Sequence, residues 1–335
     1  MIALDATFRD GGYQNNFNFP IDLANHYLKV MEASKIDAIE IGFRYPLEKN
    51  VGTFGKVTDE FINENLYIPN VQYFGVMINA ADITEDNIKV LFKRKEQSPI
   101  NMVRVAIHFK DVPRFRFIFD YLKEMGYFVT CNLMQAADKS YDELRDTAEL
   151  VNSWNNSDIL YLADSLGSMS LYNIDYAFEA INEGWKGPTG FHGHNNKGQG
   201  LSNSIEALDI GVQWVDGTIM GMGRGAGNTE TEYLLNELNK RNYEYELEHI
   251  YKLALTYFYP LKQKYNWGPS LPYYLAAEYN IHPTYIQTIM GDTDISMGIM
   301  LDILEYLKHF KSNSFNMNLL REAVESARKN MFYSS

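Results

Sequence analysis

The sequence predicts a (β/α)8 barrel followed by a helical extension. Eight short apolar runs of strand type recur at a mean spacing of about 30 residues, which suits a strand, a helix and two loops. Between them, apolar residues recur at helical spacing. Polar side chains gather where the runs end, which is the edge where barrels build their active sites. The last observation favours a barrel over a doubly wound open sheet, since both produce the same alternation.

The eight predicted strands follow one another in the first two thirds of the chain. They are MIALDATF from Met1, AIEIGF from Ala38, VQYFGVMI from Val71, MVRVAIHF from Met102, YFVTCNLM from Tyr127, DILYLAD from Asp158, TGFHGH from Thr189 and WVDGTIM from Trp214. Most are continuously apolar, as is typical of strands buried on both faces. The predicted helices include IDLANHYLKVMEAS, PRFRFIFDYLKEMG, SYDELRDTAELVNSW and NSIEALDIG. After about residue 240 only helical patterns continue, so we expect a barrel domain over 1–240 and a helical domain over 241–335.

Composition narrows the class of protein. With 46% hydrophobic and 22% charged residues, the 335-residue chain is typical of a globular enzyme. Its net charge of -13 argues against nucleic acid or an anionic membrane as a partner. A single cysteine, Cys131, excludes an intramolecular disulfide and a Cys-rich zinc site, and indicates a reducing compartment. Together with the lack of a long apolar span or signal pattern, this predicts a cytoplasmic protein.

Two histidines stand one residue apart in GFHGHNN. In an extended strand, residues i and i+2 point to the same face, so His192 and His194 are expected to project together. Two imidazoles on one face can hold one metal ion. The alternative is that one is a satisfied polar group and the other faces solvent.

The first strand leads into DATFRDGGY. We expect the chain to turn tightly at the two glycines and to present Arg9 and Asp10 at the barrel mouth. Their charges could instead pair only with each other. Asp10, His192 and His194 together form a nitrogen and oxygen ligand set that suits Mn²⁺, Mg²⁺, Co²⁺ or Zn²⁺.

The loop after the last strand is rich in glycine. Its sequence GMGRGAGN superficially resembles a dinucleotide-binding loop, but such a fingerprint follows the first strand of its unit rather than the last. We interpret the glycines as backbone freedom that brings Asn228 to the metal as a further neutral oxygen ligand.

DATFRDGGY, GFHGHNNKGQG and GMGRGAGN, at the ends of strands one, seven and eight, resemble the motifs of the DRE-TIM metallolyase superfamily. That superfamily includes 3-hydroxy-3-methylglutaryl-CoA lyase, 2-isopropylmalate synthase and 4-hydroxy-2-oxovalerate aldolase, and the aldolase branch looks closest. The resemblance implies that Asp10, His192 and His194 bind a divalent metal, most often Mn²⁺ or Mg²⁺, with Asn228 as a further ligand. It also implies that Arg9 stabilises an enolate oxygen.

The implied activity is an aldolase that cleaves or forms a carbon–carbon bond of a 4-hydroxy-2-oxo acid through the metal-bound enolate of pyruvate, with an aldehyde as the other component. This sequence departs from the aldolases at Tyr13, where they carry a catalytic histidine. The proton-transfer candidates are therefore Tyr13, Glu40 and His108. The alternative for Tyr13 is packing against the substrate, and the alternative for Glu40 is that it orients Arg9 or a metal-bound water. His108, Asp164 and Lys197 are candidates for substrate binding. Asp164 could instead cap the next helix.

Two other functions remain open from the sequence. One is a Claisen-type acyltransferase of the 2-isopropylmalate synthase kind, which condenses acetyl-CoA with a 2-oxo acid. The other is a non-catalytic barrel that serves as a scaffold. The aromatic residues of the helical tail, among them Tyr257, Tyr259 and Trp267, favour a core or a homodimer interface, and the resemblance raises a partner dehydrogenase as a further possibility.

Overall fold

Eight parallel strands close into a barrel. The structure, a computed structural model, describes residues 1–46, 48–292 and 295–333, with side chains up to residue 329. The strands are β1 (Ile2–Asp5), β2 (Ala38–Phe43), β3 (Tyr73–Asn79), β4 (Met102–His108), β5 (Phe128–Met134), β6 (Ile159–Asp164), β7 (Thr189–Gly193) and β8 (Trp214–Gly217). Each pairs in parallel with its neighbours in the sequence, and β1 pairs with β8. Each predicted run contains one strand, so the predicted barrel is confirmed.

Helices connect the strands and continue beyond them. They are α1 (Thr7–Asp10), α2 (Gly12–Asn15), α3 (Ile21–Ala33), α4 (Asp59–Asn65), α5 (Asn87–Leu91), α6 (Arg116–Glu124), α7 (Tyr141–Trp154), α8 (Leu171–Gly184), α9 (Gly200–Asp209), α10 (Thr231–Asn239), α11 (Leu247–Leu253), α12 (Tyr259–Tyr265), α13 (Leu271–Glu278), α14 (Pro283–Gly291), α15 (Met300–Lys308) and α16 (Met317–Tyr333). Ser140 and Ser170 begin α7 and α8 with capping boxes, which fix where these helices start.

The segment after β1 differs from the expected tight turn. The strand ends at Asp5, and α1 carries Arg9 and Asp10 in a single helical turn. Gly11 has a right-handed φ of -61°, so it is not there for a left-handed conformation. A Cβ at Gly11 would lie 2.4 Å from the carbonyl oxygen of Thr7, and therefore close packing is what requires the glycine.

The amino-terminal end of the barrel interior is apolar. Here inner side chains of alternate strands, Ala38, Met102, Ile159 and Trp214, belong to one hydrophobic cluster. The rings of Tyr73 and Phe128 pack on the Trp214 ring at centroid distances of 4.8 Å and 5.5 Å. We call this layer the barrel floor; it closes that end of the barrel with side chains, as expected for an eight-stranded barrel.

The helical extension packs in two parts. Residues of α11 and the segment after it, including Phe258 and Trp267, join the main hydrophobic core, whereas α13 to α16 form a second core of their own. Tyr257 and Tyr259 are exposed, so the tail aromatics divide between core and surface. The predicted domain boundary at residues 240 and 241 stays a prediction. Among the described residues, no helix combines the length and apolarity needed to cross a membrane.

Candidate metal centre and active site

Three predicted metal ligands converge at the mouth of the barrel. Asp10 lies in α1, His192 in β7 and His194 just after it, and one ligand atom of each lies within 4.8 Å of those of the other two. All three side chains are buried. The two imidazole centroids are 5.1 Å apart, as expected for residues i and i+2 of a strand. These groups could hold one divalent ion.

Asp10 and His192 of this group also belong to a closed circuit of charged side chains, which we call the ionic ring. It consists of Arg9, Asp10, Glu40, Arg104, His192 and Asp216. Arg9 donates to Glu40 through Nε and pairs with Asp10 through Nη1 at 3.1 Å. Arg104 donates to Glu40 at 2.8 Å and to Asp216 at 2.7 Å.

His192 completes the ionic ring. Its Nδ1 lies 2.9 Å from Asp216, and its Nε2 lies 3.0 Å from Asp10. A carboxylate on one ring nitrogen of a histidine fixes the orientation of the imidazole and the tautomer that offers the other nitrogen to a metal. Every member of the ring is at most 6% exposed, so its charges compensate one another rather than being solvated.

Electrostatics prepare Asp10 and His194 for metal binding and act in the opposite sense on His192. Burial alone would raise the pKa of Asp10, but Arg9 and His192 outweigh it and hold that pKa well below its usual range. Burial lowers the pKa of His194 well below its ordinary value, so this imidazole is neutral and offers a lone pair. Burial opposes the charge of His192, but hydrogen bonds with Asp10 and Asp216 raise its pKa.

Asn228 lies beside the same group. Its Nδ2 donates to Asp10 at 2.9 Å. Within the described part of the chain, its Oδ1 is buried without a hydrogen-bond partner, as is Nδ1 of His194. Unpartnered buried acceptors fit a site that receives a cation. The glycine loop permits this position: Gly227 has a φ of +83°, and a Cβ there would lie 1.9 Å from the carbonyl oxygen of Gly221.

A cavity of about 80 Å³ opens above the metal group. It is lined by Arg9, Asp10, Tyr13, Phe43, Tyr45, Met77, Asn79, Ala106, Asn132, Met134, Ala163, Ser165, His192, His194 and Arg224. Tyr13 stands at its rim with 37% of its surface exposed. Desolvation of its hydroxyl end still raises the pKa of Tyr13, against the opposing effects of Arg224 and of a hydrogen bond with Tyr45.

Two other predicted residues, Glu40 and Asp164, lie outside the lining of this cavity. Glu40 is fully buried between Arg9 and Arg104, which corresponds to the orienting alternative rather than to proton transfer. Asp164 accepts hydrogen bonds from the backbone of Ser168 and Met169, and burial raises its pKa to about 6.

His108 and Lys197 also lie outside the lining of this cavity. His108, at the end of β4, is half-buried, and burial lowers its pKa. Lys197 pairs with Glu278 of the helical extension at 2.6 Å. Its ammonium group is therefore already partnered, and none of the three residues His108, Asp164 and Lys197 lines the cavity above the metal group.

Sequence reasoning missed three charged residues. Arg104 and Asp216 each interrupt an otherwise apolar strand, and that interruption was the available signal, because a charge in a barrel strand must find a buried partner. Arg224 lies in the loop GMGRGAGN. The prediction for this loop used its glycines and Asn228, and not the charge of Arg224.

The family follows from a comparison with known proteins. A family model described as HMGL-like matches residues 1–256. The chain belongs to the HMGL-like family. The matched segment contains the metal group and the whole ionic ring, and the resemblance predicted from three motifs is confirmed at this level.

Two relatives of this HMGL-like chain share the same name. A protein of Carboxydothermus hydrogenoformans named 4-hydroxy-2-oxovalerate aldolase is 28% identical over 75% of this chain and 74% of its own length. One of Pelotomaculum thermopropionicum with the same name is 26% identical over 78% of this chain and 77% of its own.

Among solved structures, the N-terminal domain of a candidate aldolase from Bacteroides vulgatus is 29% identical, with a TM-score of 0.79 over 88% of this chain and 98% of that one. The HMG-CoA lyase of Bacillus subtilis shares the fold, with 14% sequence identity and a TM-score of 0.65. The match covers 80% of this chain and 94% of the lyase chain.

Proposed function

We propose that this protein is a divalent-metal-dependent aldolase, a carbon–carbon lyase that cleaves or forms a bond of a 4-hydroxy-2-oxo acid with pyruvate as one component. The observation that carries the proposal is the convergence of Asp10, His192 and His194 beside Arg9 at the mouth of the barrel. The names of the relatives support the same class of reaction. The sequence-based prediction of a carbon–carbon lyase agrees with them.

Asp10, His192 and His194 would hold the metal, with Asn228 as a further oxygen ligand. When bound, the ion supplies Lewis acidity at the 2-oxo group of the substrate. Ligation by two imidazoles and oxygen atoms without thiolate is compatible with Mn²⁺ or Mg²⁺, and we propose these ions on the resemblance to the metallolyases. Asp216 keeps the His192 ring in place, because it engages the ring nitrogen that faces away from Asp10.

Arg9 would stabilise the oxygen that becomes an enolate. Its Nε donates to Glu40 and its Nη1 pairs with Asp10, so the guanidinium is fixed before substrate arrives. A donor that is already oriented needs no reorganisation when negative charge develops, and its stabilisation is greatest in the transition state. Glu40 acts here as a positioning residue.

Tyr13 would transfer the proton that the family histidine handles in related aldolases. Apart from the metal group and the arginines, the titratable side chains among the described cavity residues are Tyr13 and Tyr45. The hydrogen bond between them favours the anion of Tyr13 and disfavours that of Tyr45. Of the two, we assign Tyr13 to proton transfer, with Tyr45 as its support. Because desolvation raises the pKa of Tyr13, its hydroxyl group is protonated at rest, so it donates to the aldehyde oxygen in condensation and takes that proton back in cleavage.

The test begins with the pyruvate half of the reaction. Protein stripped with a chelator receives Mn²⁺, Mg²⁺, Co²⁺ or Zn²⁺, and NMR follows exchange of the pyruvate methyl protons in D₂O. Exchange needs no aldehyde, so the assay avoids the unidentified component. We expect metal-dependent exchange that disappears in Asp10→Ala and His192→Ala, whereas Asp209→Asn, a surface carboxylate paired with Arg241, serves as the matched control.

Metal analysis of the same samples separates the alternatives. One bound equivalent in the wild type and little in Asp10→Ala supports the assigned ligands. Bound metal without exchange under any ion would contradict pyruvate as the donor. Product formation that requires acetyl-CoA would then favour the acyltransferase, and no turnover with either donor would favour a non-catalytic barrel.

The surface of the helical extension favours a homodimer. Tyr251, Leu255 and Tyr259 expose large apolar surface on the segment from α11 to α12, and we propose that it contacts a second copy in a homodimer. Light scattering on purified protein would reveal a dimer; a monomer that binds an aldehyde dehydrogenase would instead support a partner enzyme. The cytoplasmic location stays a prediction.

A further inference from the structure

A second guanidinium, that of Arg224, enters the cavity above the metal group. It comes from the glycine loop after β8, and its Cζ lies 5.9 Å from the centroid of the Tyr13 ring. Its Nη2 donates to the backbone carbonyl of Ser165 at 3.1 Å, and its Nη1 lies 3.3 Å from Nε2 of His282. Its Nε is buried and has no hydrogen-bond partner among the residues that the structure describes.

The charge of Arg224 is not compensated by the protein. Among the described residues, no carboxylate lies within ion-pair distance of it. The contrast with Arg9 in the same cavity is direct, because Arg9 contacts two carboxylates, those of Asp10 and Glu40. A partly buried guanidinium with an unsatisfied donor and no counter-ion is costly unless a ligand supplies the anion.

The partner that orients Arg224 is neutral. His282 precedes α14 in the helical extension, and its Nδ1 lies 3.3 Å from the backbone nitrogen of Thr284. A neutral imidazole has a single acceptor nitrogen, so the ring accepts a hydrogen bond from Thr284 or from Arg224, and not from both. Burial, followed by the charge of Arg224, lowers the pKa of His282 to about 3, so the imidazole carries no charge at neutral pH. The backbone carbonyl of Ser165 and the contact with this neutral imidazole therefore position the guanidinium without cancelling its charge.

The loop that carries Arg224 packs closely against the extension. Gly225 has a φ of +63°, and a Cβ there would lie 2.8 Å from the Cβ of Pro283 and 3.3 Å from the ring of Tyr273. The position of Arg224 is therefore set from both sides, by the end of β6 and by the helical extension. Arg224 is also more exposed than Arg9, so it stands nearer the rim while Arg9 lies at the bottom of the cavity.

We propose that Arg224 binds a second anionic group of the substrate, a carboxylate or a phosphate at the end remote from the 2-oxo acid. The aldehyde component would then be an acidic aldehyde. This inference rests on the proposed function, since it assigns the 2-oxo acid unit to Arg9 and the metal group. A planar guanidinium with free donors suits either oxyanion through charge-assisted hydrogen bonds.

The reaction that tests this is the condensation of pyruvate with an aldehyde. A carbon–carbon bond forms between the methyl carbon of pyruvate and the aldehyde carbon, the methyl carbon loses a proton and the aldehyde oxygen gains one, so no oxidant or reductant is needed. The probes are two pairs that differ in charge: succinic semialdehyde with butanal, and glyceraldehyde 3-phosphate with glyceraldehyde. The enzyme is the full chain reconstituted with Mn²⁺.

We expect the wild type to prefer the acidic member of one pair, and the pair that shows the preference distinguishes carboxylate from phosphate. In Arg224→Gln this preference, as a ratio of kcat/KM values, should fall by about 10- to 100-fold, the usual range for a lost charge-assisted hydrogen bond. Arg224→Lys keeps the charge and should retain part of the preference. Arg114→Gln removes an exposed guanidinium elsewhere and should leave the ratio unaltered.

Two results would overturn the inference, and a third would show that the proposed function fails instead. A wild type without preference in either pair contradicts it, and so does an equal loss for the acidic and neutral aldehydes, which would place Arg224 on the pyruvate unit. If the wild type does not exchange pyruvate protons, the proposed function fails, and calorimetric binding of succinate and of inorganic phosphate decides the inference alone. A Kd raised about tenfold or more in Arg224→Gln supports it, and an equal Kd contradicts it.

Discussion

Two successive layers of the barrel interior differ completely in chemistry. In the floor, β2, β4, β6 and β8 contribute Ala38, Met102, Ile159 and Trp214. Two residues further along the same strands come Glu40, Arg104, Tyr161 and Asp216, where three charged groups form part of the ionic ring and the Arg104 guanidinium lies 4.4 Å from the centroid of the Tyr161 ring. Residues i and i+2 of a strand share a face, so both sets point inward.

The difference separates stability from ligand placement. Apolar burial in the floor contributes about 25 cal/mol per Å² and needs no particular partner geometry. The ionic ring carries a desolvation cost that its mutual attraction must offset, so apolar side chains would serve stability as well. What the ring adds is orientation, because it fixes Arg9, Asp10 and His192 directly under the cavity.

The largest expected effect lies above both layers, at the mouth. Tyr13→Phe removes the hydroxyl group that we assign to proton transfer, and kcat for aldol cleavage should fall by about 10²- to 10⁴-fold. Metal content and the urea midpoint should stay within error of the wild type, because the ring is kept. Tyr243→Phe is the matched control for loss of an exposed hydroxyl group outside the cavity. A kcat unaltered in Tyr13→Phe would contradict the role of Tyr13.

A substitution in the floor should affect stability alone. Trp214→Ala leaves a void beside Tyr73 and Phe128, and the free energy of unfolding should fall by about 3–5 kcal/mol. Urea unfolding measures this loss, and Trp214→Phe should recover part of it. Metal affinity of the folded protein is expected to be retained. If Trp214→Ala lost its metal in proportion to its stability, the two layers would not be independent.

The matching substitution in the ring should affect metal binding. Asp216→Asn keeps the size of the side chain but weakens the hold on Nδ1 of His192, and metal affinity should fall by about 10- to 100-fold. Competition with a chelator of known affinity measures it. The surface change Asp209→Asn provides the control. An unaltered affinity in Asp216→Asn would show that the metal group is oriented without the ring.

The smallest effect concerns a buried carboxyl group that forms no ion pair with the described residues. Glu232 accepts from the backbone N–H of Met220, and burial raises its pKa from 4.5 to about 7. The folded state therefore holds this proton more tightly than the unfolded state, and stability should fall as pH rises from about 4.5 to about 7.

Urea unfolding at pH 5 and pH 8 tests this expectation. The decline in the wild type should exceed that in Glu232→Gln by about 1–3 kcal/mol, since glutamine keeps the acceptor and lacks the titration. Glu237→Gln, on the partly exposed face of the same helix, should decline like the wild type. Equal slopes in the wild type and Glu232→Gln would contradict the raised pKa.

Much of the fold could be predicted because its signals are local. Strand runs, helical periodicity and the serines that cap α7 and α8 each lie within a few residues of one another. The turn after β1 could not be predicted, because α1 forms where Gly11 packs against Thr7 and Met222, and Met222 is distant in the sequence. The predicted tight turn at the two glycines is wrong: the segment is helical, and Gly11 is needed for close packing rather than for a turn.

The metal group could also be predicted, whereas its support could not. His192 and His194 share a face because of strand periodicity, and Asp10 follows a strand end, so the sequence brings these ligand types to one edge. Glu40, Arg104 and Asp216 meet only because the sheet closes and places β2, β4 and β8 around one axis. No spacing along the chain encodes that meeting.

The sequence by itself thus determined the architecture, the family and the ligand types of the site, since strand periodicity and strand order are properties of the chain. Only the tertiary structure decided which charges are compensated. Arg9 and Arg224 both lie in segments that follow barrel strands, yet Arg9 contacts two carboxylates, and Arg224 contacts a histidine from 58 residues further along. The physical reason is that the free energy of a buried charge depends on neighbours within a few ångströms, which the chain supplies from distant positions.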